Sequence, residues 1–435
     1  MTIEEASAAL ADRRVSSVEL TRACLERIEK RNPELNAFIT VIAGEALAFA
    51  DEMDRELADG GPRGPLHGIP IAHKDNVFTH GVKTTSGSKI FADFEPAADA
   101  EIAARLEQAG AVLVGKTNMH ELAYGITSLN PHYGPVRNPH DSARIAGGSS
   151  GGSAVAVADE MCFAATGTDT GGSLRIPASF CGVVGLKPTY GLVGREGIQP
   201  LAFTLDHAGP LARTVRDAAT MLGAMSGREL EVEPSLAGRI VGLPENFFFD
   251  DVDPDVSHAV KHAADVCIRL GAHIEHVVMP DMELLNVVSR TITLAEAAAV
   301  FEPWSDRRAD IGEDVLALLD QGRALPATAY VNAQRLRKEL ITNFQGLLET
   351  VDFLLTPATP TPAPLIAEAA DIRVATTRFV RGFNVIGFPA IAMPCVSTAG
   401  RPIGMQLVGG PWRDAELLGA AAALEDELGY CGAGS

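Results

Sequence analysis

The chain alternates helix-like and strand-like segments, and this alternation constrains its fold more than any other feature. Residues 101–110 (EIAARLEQAG) and 214–227 (TVRDAATMLGAMSG) carry apolar residues at helical spacing, whereas residues 111–115 (AVLVG) and 239–244 (RIVGLP) are short apolar runs typical of buried strands. Such alternation indicates a sheet with helices packed against it. The sequence therefore predicts the α/β class, with a large mixed, twisted central sheet covered by helices on both faces.

The length of 435 residues leaves the number of domains open, because a large α/β sheet can absorb more than the typical domain of about 150 residues. No internal repeat and no sharp change of composition divides the sequence. We therefore predict one domain over residues 1–435. Residues 280–350 have a mostly helical pattern, and we expect this region to shape a substrate pocket.

Charge and composition exclude several classes of partner. With 36 basic and 56 acidic residues the net charge is −20, which repels nucleic acid. The first residues, MTIEEASAALADRR, lack the basic start of a signal peptide, and prolines interrupt the uncharged segment 382–400, so no membrane helix is expected. Six cysteines without C-x-x-C spacing suit a reducing compartment. We expect a cytoplasmic protein without nucleic-acid or membrane contacts, and a homodimer is one candidate for its oligomeric state.

Short motifs for other chemistries are present but lack the required context. Residues 110–117 (GAVLVGKT) fit the Walker A pattern, yet the four middle residues resemble a buried strand instead of a phosphate-binding loop. Residues 147–151 fit G-x-S-x-G, but residues 138–146 before them look like a loop, where a nucleophile elbow needs a strand. His258 and His262 share a helix face without a third ligand nearby in sequence, so no metal and no cofactor is expected.

Two clusters of small residues lie close together in the middle of the chain, GGSSGGS at 147–153 and GTDTGGS at 167–173. Residues 170–173 offer consecutive backbone N–H groups at a turn, and the following SLRIPA can start a helix. Consecutive amides can converge on one oxygen, as an oxyanion hole for acyl transfer requires. On this evidence alone, two glycine turns without a catalytic role explain the pattern as well.

The same segment resembles the long signature of the amidase signature family, the Ser-cis-Ser-Lys hydrolases. That signature is a GGSSGG run followed by GTDxGGSxRxPAxxCGxxGxKP, and residues 147–188 match it almost completely. The upstream family element GxPxxxKD matches residues 68–75. The resemblance extends to the C-terminal IGMQLVG and implies the family's fold and its amidase activity.

The resemblance implies a Lys–Ser–Ser triad with Ser173 as nucleophile, Ser149 as bridging serine and Lys74 as base. The oxyanion-hole amides are those of Thr170, Gly171, Gly172 and Ser173. A serine hydroxyl needs a base, the segment contains no histidine, and burial can hold a lysine neutral. Ser149 can then carry the proton from Ser173 to Lys74 and return it to the leaving nitrogen.

Other residues near the triad are expected to have supporting roles. Asp169 and Arg175 are expected to form a buried ion pair that fixes the oxyanion turn. Ser150 either orients its neighbours or is purely structural. The resemblance places the acyl-side substrate wall at Ala123, Tyr124, Gly125 and Ile126. Tyr124 can stack on an aryl group there, and a core-facing turn is the equal alternative.

The main alternative to a stand-alone amidase is the A subunit of the tRNA-dependent amidotransferase, which takes ammonia from glutamine. That protein has an aspartate where this chain has Thr377, and an arginine in a helix whose counterpart here is 316–318, without a cation. We therefore expect an amidase acting on a small neutral carboxamide or carbamate, of urethane or aryl-amide type. A non-catalytic binding protein of the same fold is a third hypothesis, which the intact triad disfavours.

Overall fold

The structure is a computed structural model that describes residues 1–370, 372–395 and 400–429. The strands in this part of the chain are β1 (Phe38–Val41), β2 (Pro70–Lys74), β3 (Val112–Thr117), β4 (Leu129–Asn130), β5 (Gly134–Pro135), β6 (Arg137–Asn138), β7 (Asp141–Ile145), β8 (Ala164–Asp169), β9 (Val184–Lys187), β10 (His207–Ala212), β11 (Ile240–Pro244), β12 (His273–Val277), β13 (Phe353–Pro357), β14 (Ala390–Cys395) and β15 (Ile403–Gly409). The α-helices are α1 (Ile3–Ala11), α2 (Ser17–Leu35), α3 (Ala43–Asp59), α4 (Glu101–Gln108), α5 (Gly151–Ala158), α6 (Arg175–Cys181), α7 (Val215–Ser226), α8 (Pro254–Arg269), α9 (Met282–Val300), α10 (Glu313–Arg323), α11 (Ala327–Leu347), α12 (Arg373–Thr377), α13 (Gly382–Ile386) and α14 (Asp414–Leu428).

The central sheet has eleven strands in the order β1-β3-β2-β8-β10-β9-β14-β15-β13-β11-β12. Strand β2 is parallel to both β3 and β8, and β11 is parallel to both β12 and β13. The other neighbouring pairs are antiparallel. The prediction of an α/β fold with a large mixed sheet is confirmed.

Helices cover both faces of this sheet. Successive residues of a strand point to opposite faces, and Ala164 and Ala165 of β8 enter two different hydrophobic clusters. One cluster contains buried residues of α7, α8 and α14, and the other contains those of α2, α3 and α5. The inner strands are therefore buried on both sides, as their nearly continuous apolar sequences indicate, whereas the edge strands β1 and β12 are partly exposed. No helix in the described ranges is both long and apolar enough to cross a membrane.

One local prediction is wrong. Residues 138–146, expected to be a loop, contain β7, which pairs with β6 in a short antiparallel hairpin outside the central sheet. The hairpin turns at Asn138, whose side-chain Oδ1 accepts a hydrogen bond of 3.0 Å from the N–H of His140. Such local side-chain capping stabilises a turn without any apolar pattern in the sequence.

The topology places two strand ends side by side. Strands β2 and β8 are parallel neighbours that pair Ile71 with Ala164, so their carboxyl ends lie at the same edge of the sheet. β2 ends at Lys74 and β8 ends at Asp169. The GTDTGGS cluster, which begins in β8, therefore lies beside Lys74 at this edge.

Candidate active site

Lys74 lies at the centre of a hydrogen-bonded group at this edge. Its Nζ is 2.7 Å from the Oγ of Ser149 and 2.8 Å from the Oγ1 of Thr168. Lys74 and Ser149 are fully buried. Thr168 was not predicted as a site residue from the sequence. Its position in the GTDTGGS cluster, one residue before the end of the strand parallel to β2, is the signal that could have found it.

Burial changes the protonation of this lysine. Desolvation lowers the pKa of Lys74 to about 7, and the charges of Asp169 and Asp206 oppose that shift only partly. Asp75, the next residue, accepts a hydrogen bond of 2.9 Å from the N–H of Thr85 on the other side of the strand. A large fraction of Lys74 is thus neutral near pH 7. The neutral amine can accept a hydrogen bond from Ser149 and donate one to Thr168.

Ser173 lies on the loop between β8 and α6, beside a cavity of about 120 Å³. Ser173 lines this cavity, which we call the Ser173 cavity, and Ser149 does not. The two serine loops touch, because the N–H of Ser150 donates a hydrogen bond of 3.3 Å to the carbonyl oxygen of Ser173. Of the two serines, Ser173 is the one that a substrate in the cavity can reach.

The backbone around Ser173 forms a tight turn that only glycine allows. Gly172 has φ of +116°, and a Cβ added there would lie 2.3 Å from a methyl group of Val380. Within the described residues, the N–H groups of Thr170, Gly171 and Ser173 donate to no other protein group. The N–H of Gly172 donates 2.7 Å to a carboxylate oxygen of Asp169, so it is not free for an oxyanion. Three of the four predicted amides therefore remain available.

Asp169 and Arg175 form the buried ion pair that was predicted from the sequence, at 3.0 Å and with both side chains fully buried. Arg175 also donates to the carbonyl oxygen of Val380, to Gln406 and to Asn384. Burial alone would raise the pKa of Asp169, but the charge and hydrogen bonds of Arg175 hold that pKa well below its usual range. The Asp169 carboxylate in turn accepts from the backbone N–H groups of Gly172 and Leu174 and so fixes the turn.

We expect Asp169→Ala to lower the free energy of unfolding by about 3–5 kcal/mol, because it leaves the Arg175 charge buried without its partner. The control is Asp426→Asn, which breaks the half-exposed pair of Asp426 with Arg216 and should cost no more than about 1 kcal/mol. Urea denaturation of both variants measures the difference. Equal, small losses in the two variants would contradict a structural role of the buried pair.

Ser150 ties the two serine loops to the sheet. Its Oγ donates 3.1 Å to the carbonyl oxygen of Thr168 and accepts 3.3 Å from the N–H of the same residue. Both contacts are with backbone at the end of β8. Ser150 therefore binds the end of β8 and does not line either cavity near Ser173.

The predicted substrate wall lines the Ser173 cavity with all four of its residues, Ala123, Tyr124, Gly125 and Ile126. Tyr124 is also packed in a hydrophobic cluster, so it is both a core residue and a wall residue. The guanidinium of Arg373 lies 5.0 Å from the centre of its ring. This cation covers one ring face, which is therefore not available to an aryl group of a substrate.

The Ser173 cavity contains three cations for which the sequence made no prediction. Arg290 on α9, Arg373 on α12 and Arg381 just before α13 all line the Ser173 cavity. The aligned position on α10 does supply an apolar residue, Leu318, and Thr377 also lines the cavity. The sequence did not predict these arginines at the cavity, because they lie in other segments and no short motif connects those segments to the triad.

A second cavity of about 370 Å³ adjoins the first. The two share Ala123, Thr170 and Leu201. Thr168, the hydroxyl partner of Lys74, lines only the second cavity. Arg290, Arg373 and Arg381 thus line the first cavity, whereas the second cavity lies beside the hydroxyl partner of Lys74.

Comparison with known proteins agrees with this geometry. The family described as Amidase matches residues 19–418 of the chain. The A subunit of the glutamyl-tRNA(Gln) amidotransferase from Halorhodospira halophila (strain DSM 244 / SL1) is 39% identical over 460 residues, which cover 96% of this chain and 95% of that protein.

Solved structures are similar over the whole chain. A structure described as a vestigial protein complex that reveals the evolutionary origins of an s-triazine catabolic enzyme has a TM-score of 0.94 and 34% identity, with 100% of both chains covered. The native peptide amidase from Stenotrophomonas maltophilia has a TM-score of 0.88 and 31% identity, with 99% of this chain and 97% of that chain covered. A peptide amidase and the A subunit of a glutamyl-tRNA(Gln) amidotransferase thus share this fold.

Proposed function

The chain belongs to the amidase family, whose members act on C–N bonds, and we propose that it hydrolyses a small amide or carbamate through an acyl-enzyme on Ser173. The observation that carries this proposal is the contact of 2.7 Å between Lys74 and Ser149 beside a serine that lines a cavity. A buried lysine with a pKa of about 7 supplies the base that a serine nucleophile needs.

In the proposed acylation, the Ser173 oxygen bonds to the substrate carbonyl carbon and its proton passes through Ser149 to Lys74. The N–H groups of Thr170, Gly171 and Ser173 stabilise the oxyanion that forms. The proton returns through Ser149 to the leaving nitrogen as the C–N bond breaks. Water then hydrolyses the ester, with its proton taken along the same path, and regenerates the Ser173 hydroxyl.

The two cavities suggest how the substrate lies. The leaving nitrogen must receive the proton, so it belongs on the side of Lys74 and Thr168, where the second cavity opens. The acyl group then occupies the Ser173 cavity. The substrate wall of residues 123–126 and the helices α9 and α10 from region 280–350 enclose it.

The second candidate is the glutaminase (A) component of a tRNA-dependent amidotransferase. It is supported by the 39% identity with such a protein over 96% of the chain. The described residues that line the Ser173 cavity include no carboxylate for the ammonium group of glutamine, which favours the first candidate. The cytoplasmic location and the homodimer stay predictions.

We expect the purified chain to hydrolyse simple amides without other subunits or tRNA. A hydrolysis screen over aliphatic amides, aryl amides, anilides, carbamates and glutamine measures this, with an activated ester to test for an acyl-enzyme burst. If glutamine alone were hydrolysed, and faster with tRNA present, the second candidate would replace the first. A complete lack of burst and turnover would favour a non-catalytic protein.

A further inference from the structure

We propose that the acyl group of the substrate carries a carboxylate, which Arg290, Arg373 and Arg381 bind in the Ser173 cavity. The substrate class is then the monoamide of a short dicarboxylic acid, not a neutral amide. This inference rests on the proposed amide hydrolysis at Ser173. It goes beyond it by naming residues that determine specificity.

The three guanidinium groups have no acidic partner in the cavity. Arg381 donates to the hydroxyl of Thr377, and Arg290 donates 2.9 Å to the amide oxygen of Gln321. Within the described residues, the guanidinium of Arg373 makes no ion pair or hydrogen bond, and no Asp or Glu lines this cavity. Elsewhere in the protein, arginines commonly pair with carboxylates, as Arg175 does with Asp169. Positive charge therefore accumulates here without a counter-ion from the described protein.

The arginines also act on one another. Burial, together with the charges of Arg373 and Arg290, lowers the pKa of Arg381 to about 10. Burial and the charge of Arg290 likewise lower the pKa of Arg373, although the charge of Asp314 acts in the opposite direction. The carboxylate of Asp314 is itself held by His120, 2.9 Å from Nε2. Arginine keeps its charge at neutral pH, so an anion bound among the three guanidinium groups would relieve their mutual repulsion.

A fourth group at the cavity lacks a partner. The hydroxyl of Tyr124 is buried and has no hydrogen-bond partner within the described structure. Its ring lines the cavity and lies under the guanidinium of Arg373. Buried hydroxyl groups are nearly always hydrogen-bonded, so an unpartnered one beside three arginines fits a site for an acceptor such as a carboxylate.

The size of the Ser173 cavity favours a short substrate. A Cβ added to Gly171 in the oxyanion turn would lie only 3.6 Å from the Cβ of Arg381. The cavity volume of about 120 Å³ is also small for a ligand site. Few atoms can therefore separate the scissile carbonyl from the carboxylate. Glutamine has this carboxylate but adds an ammonium group, which the arginines would repel.

The experiment compares kcat/KM for four probes: succinamate, glutaramate, butyramide and glutamine. Butyramide matches succinamate in chain length but lacks its carboxylate, and glutaramate is glutamine without its ammonium group. We expect succinamate or glutaramate to exceed butyramide and glutamine by about 100-fold, because a site that binds a charged group discriminates strongly against analogues without it. Succinate should inhibit competitively when an activated neutral ester is the substrate.

Substitutions of the arginines test whether they cause the preference for succinamate over butyramide. Arg290→Gln, at an exposed position, and Arg373→Gln should each lower the ratio of kcat/KM for succinamate to that for butyramide by about 10-fold or more. Arg373→Lys keeps the charge and should recover part of the ratio. The matched control is Arg335→Gln, because Arg335 is exposed on α11 and does not line the cavity. It should leave the ratio unchanged.

The outcomes separate this inference from the proposed function. If butyramide were hydrolysed as well as succinamate, or if the arginine variants kept the wild-type ratio, the inference would be wrong and the amidase proposal would stand. If no amide were hydrolysed and no acyl-enzyme formed, the proposed function itself would fail. Thermal unfolding gives a readout that is independent of turnover. Succinate should raise the melting temperature of the wild type but not that of Arg373→Gln. If succinate did not stabilise the wild type, the inference would be wrong.

Discussion

Ser173→Ala is expected to reduce amide turnover by about 10⁴-fold or more. The serine oxygen forms the ester bond of the acyl-enzyme, and without this intermediate the reaction cannot proceed in two steps. Ser173 is the serine at the oxyanion turn that lines the cavity. Its neighbour Ser149 is fully buried against Lys74 and cannot replace it. Steady-state assays with an amide and with an activated ester measure the loss.

Chemical labelling checks the same assignment independently. A sulfonyl fluoride should modify Ser173 in the wild type and leave the Ser173→Ala variant unlabelled. Ser142→Ala, in the hairpin strand β7, is the control that should keep both labelling and activity. An adduct located on Ser149 by mass spectrometry would instead support the nucleophile elbow of the G-x-S-x-G pattern.

Much of the fold could be predicted from the sequence, because its strands are short apolar runs between helices with helical periodicity. The position of Lys74 was predictable for a related reason. Residues 70–74 form a buried strand, and the end of a strand in an α/β sheet is where polar groups gather. The two serine clusters were found because motifs of that length carry more information than any short pattern.

The chemistry of the acyl side could not be predicted in this way. Arg290, Arg373 and Arg381 are far apart from the signature segment in sequence, and only the packing of α9 and α12 around the cavity brings them together. The hydrogen bond from the Gly172 N–H to Asp169 could not be predicted from the sequence either, because it depends on the direction of one amide in a turn. Sequence motifs describe the reacting groups, whereas specificity depends on tertiary contacts between distant segments.

Lys74→Ala is expected to slow amide hydrolysis by about 10³-fold, a typical effect of losing a general base, and to change its pH dependence. The wild-type lysine has a pKa of about 7 and must be neutral to accept the proton. Activity should therefore rise from pH 6 to pH 8 as Lys74 loses its proton, and level off above. Profiles of kcat/KM against pH measure this, with Lys74→Met as a second variant that keeps most of the side-chain packing.

Comparing an amide with an activated ester shows whether Lys74 is the general base or only a structural cation. An activated ester has a good leaving group and depends little on the proton returned through Ser149, so the variants should slow ester hydrolysis less than amide hydrolysis. Both variants should also lose the rise between pH 6 and pH 8, because the group that titrates there is gone. If they kept that rise and slowed both substrates equally, Lys74 would be a structural cation that holds Ser149 and Thr168 in place. The base would then have to be another group that titrates near pH 7 beside the two cavities, and Asp206, which lines the second cavity and whose pKa burial raises to about 6, would be the first to test.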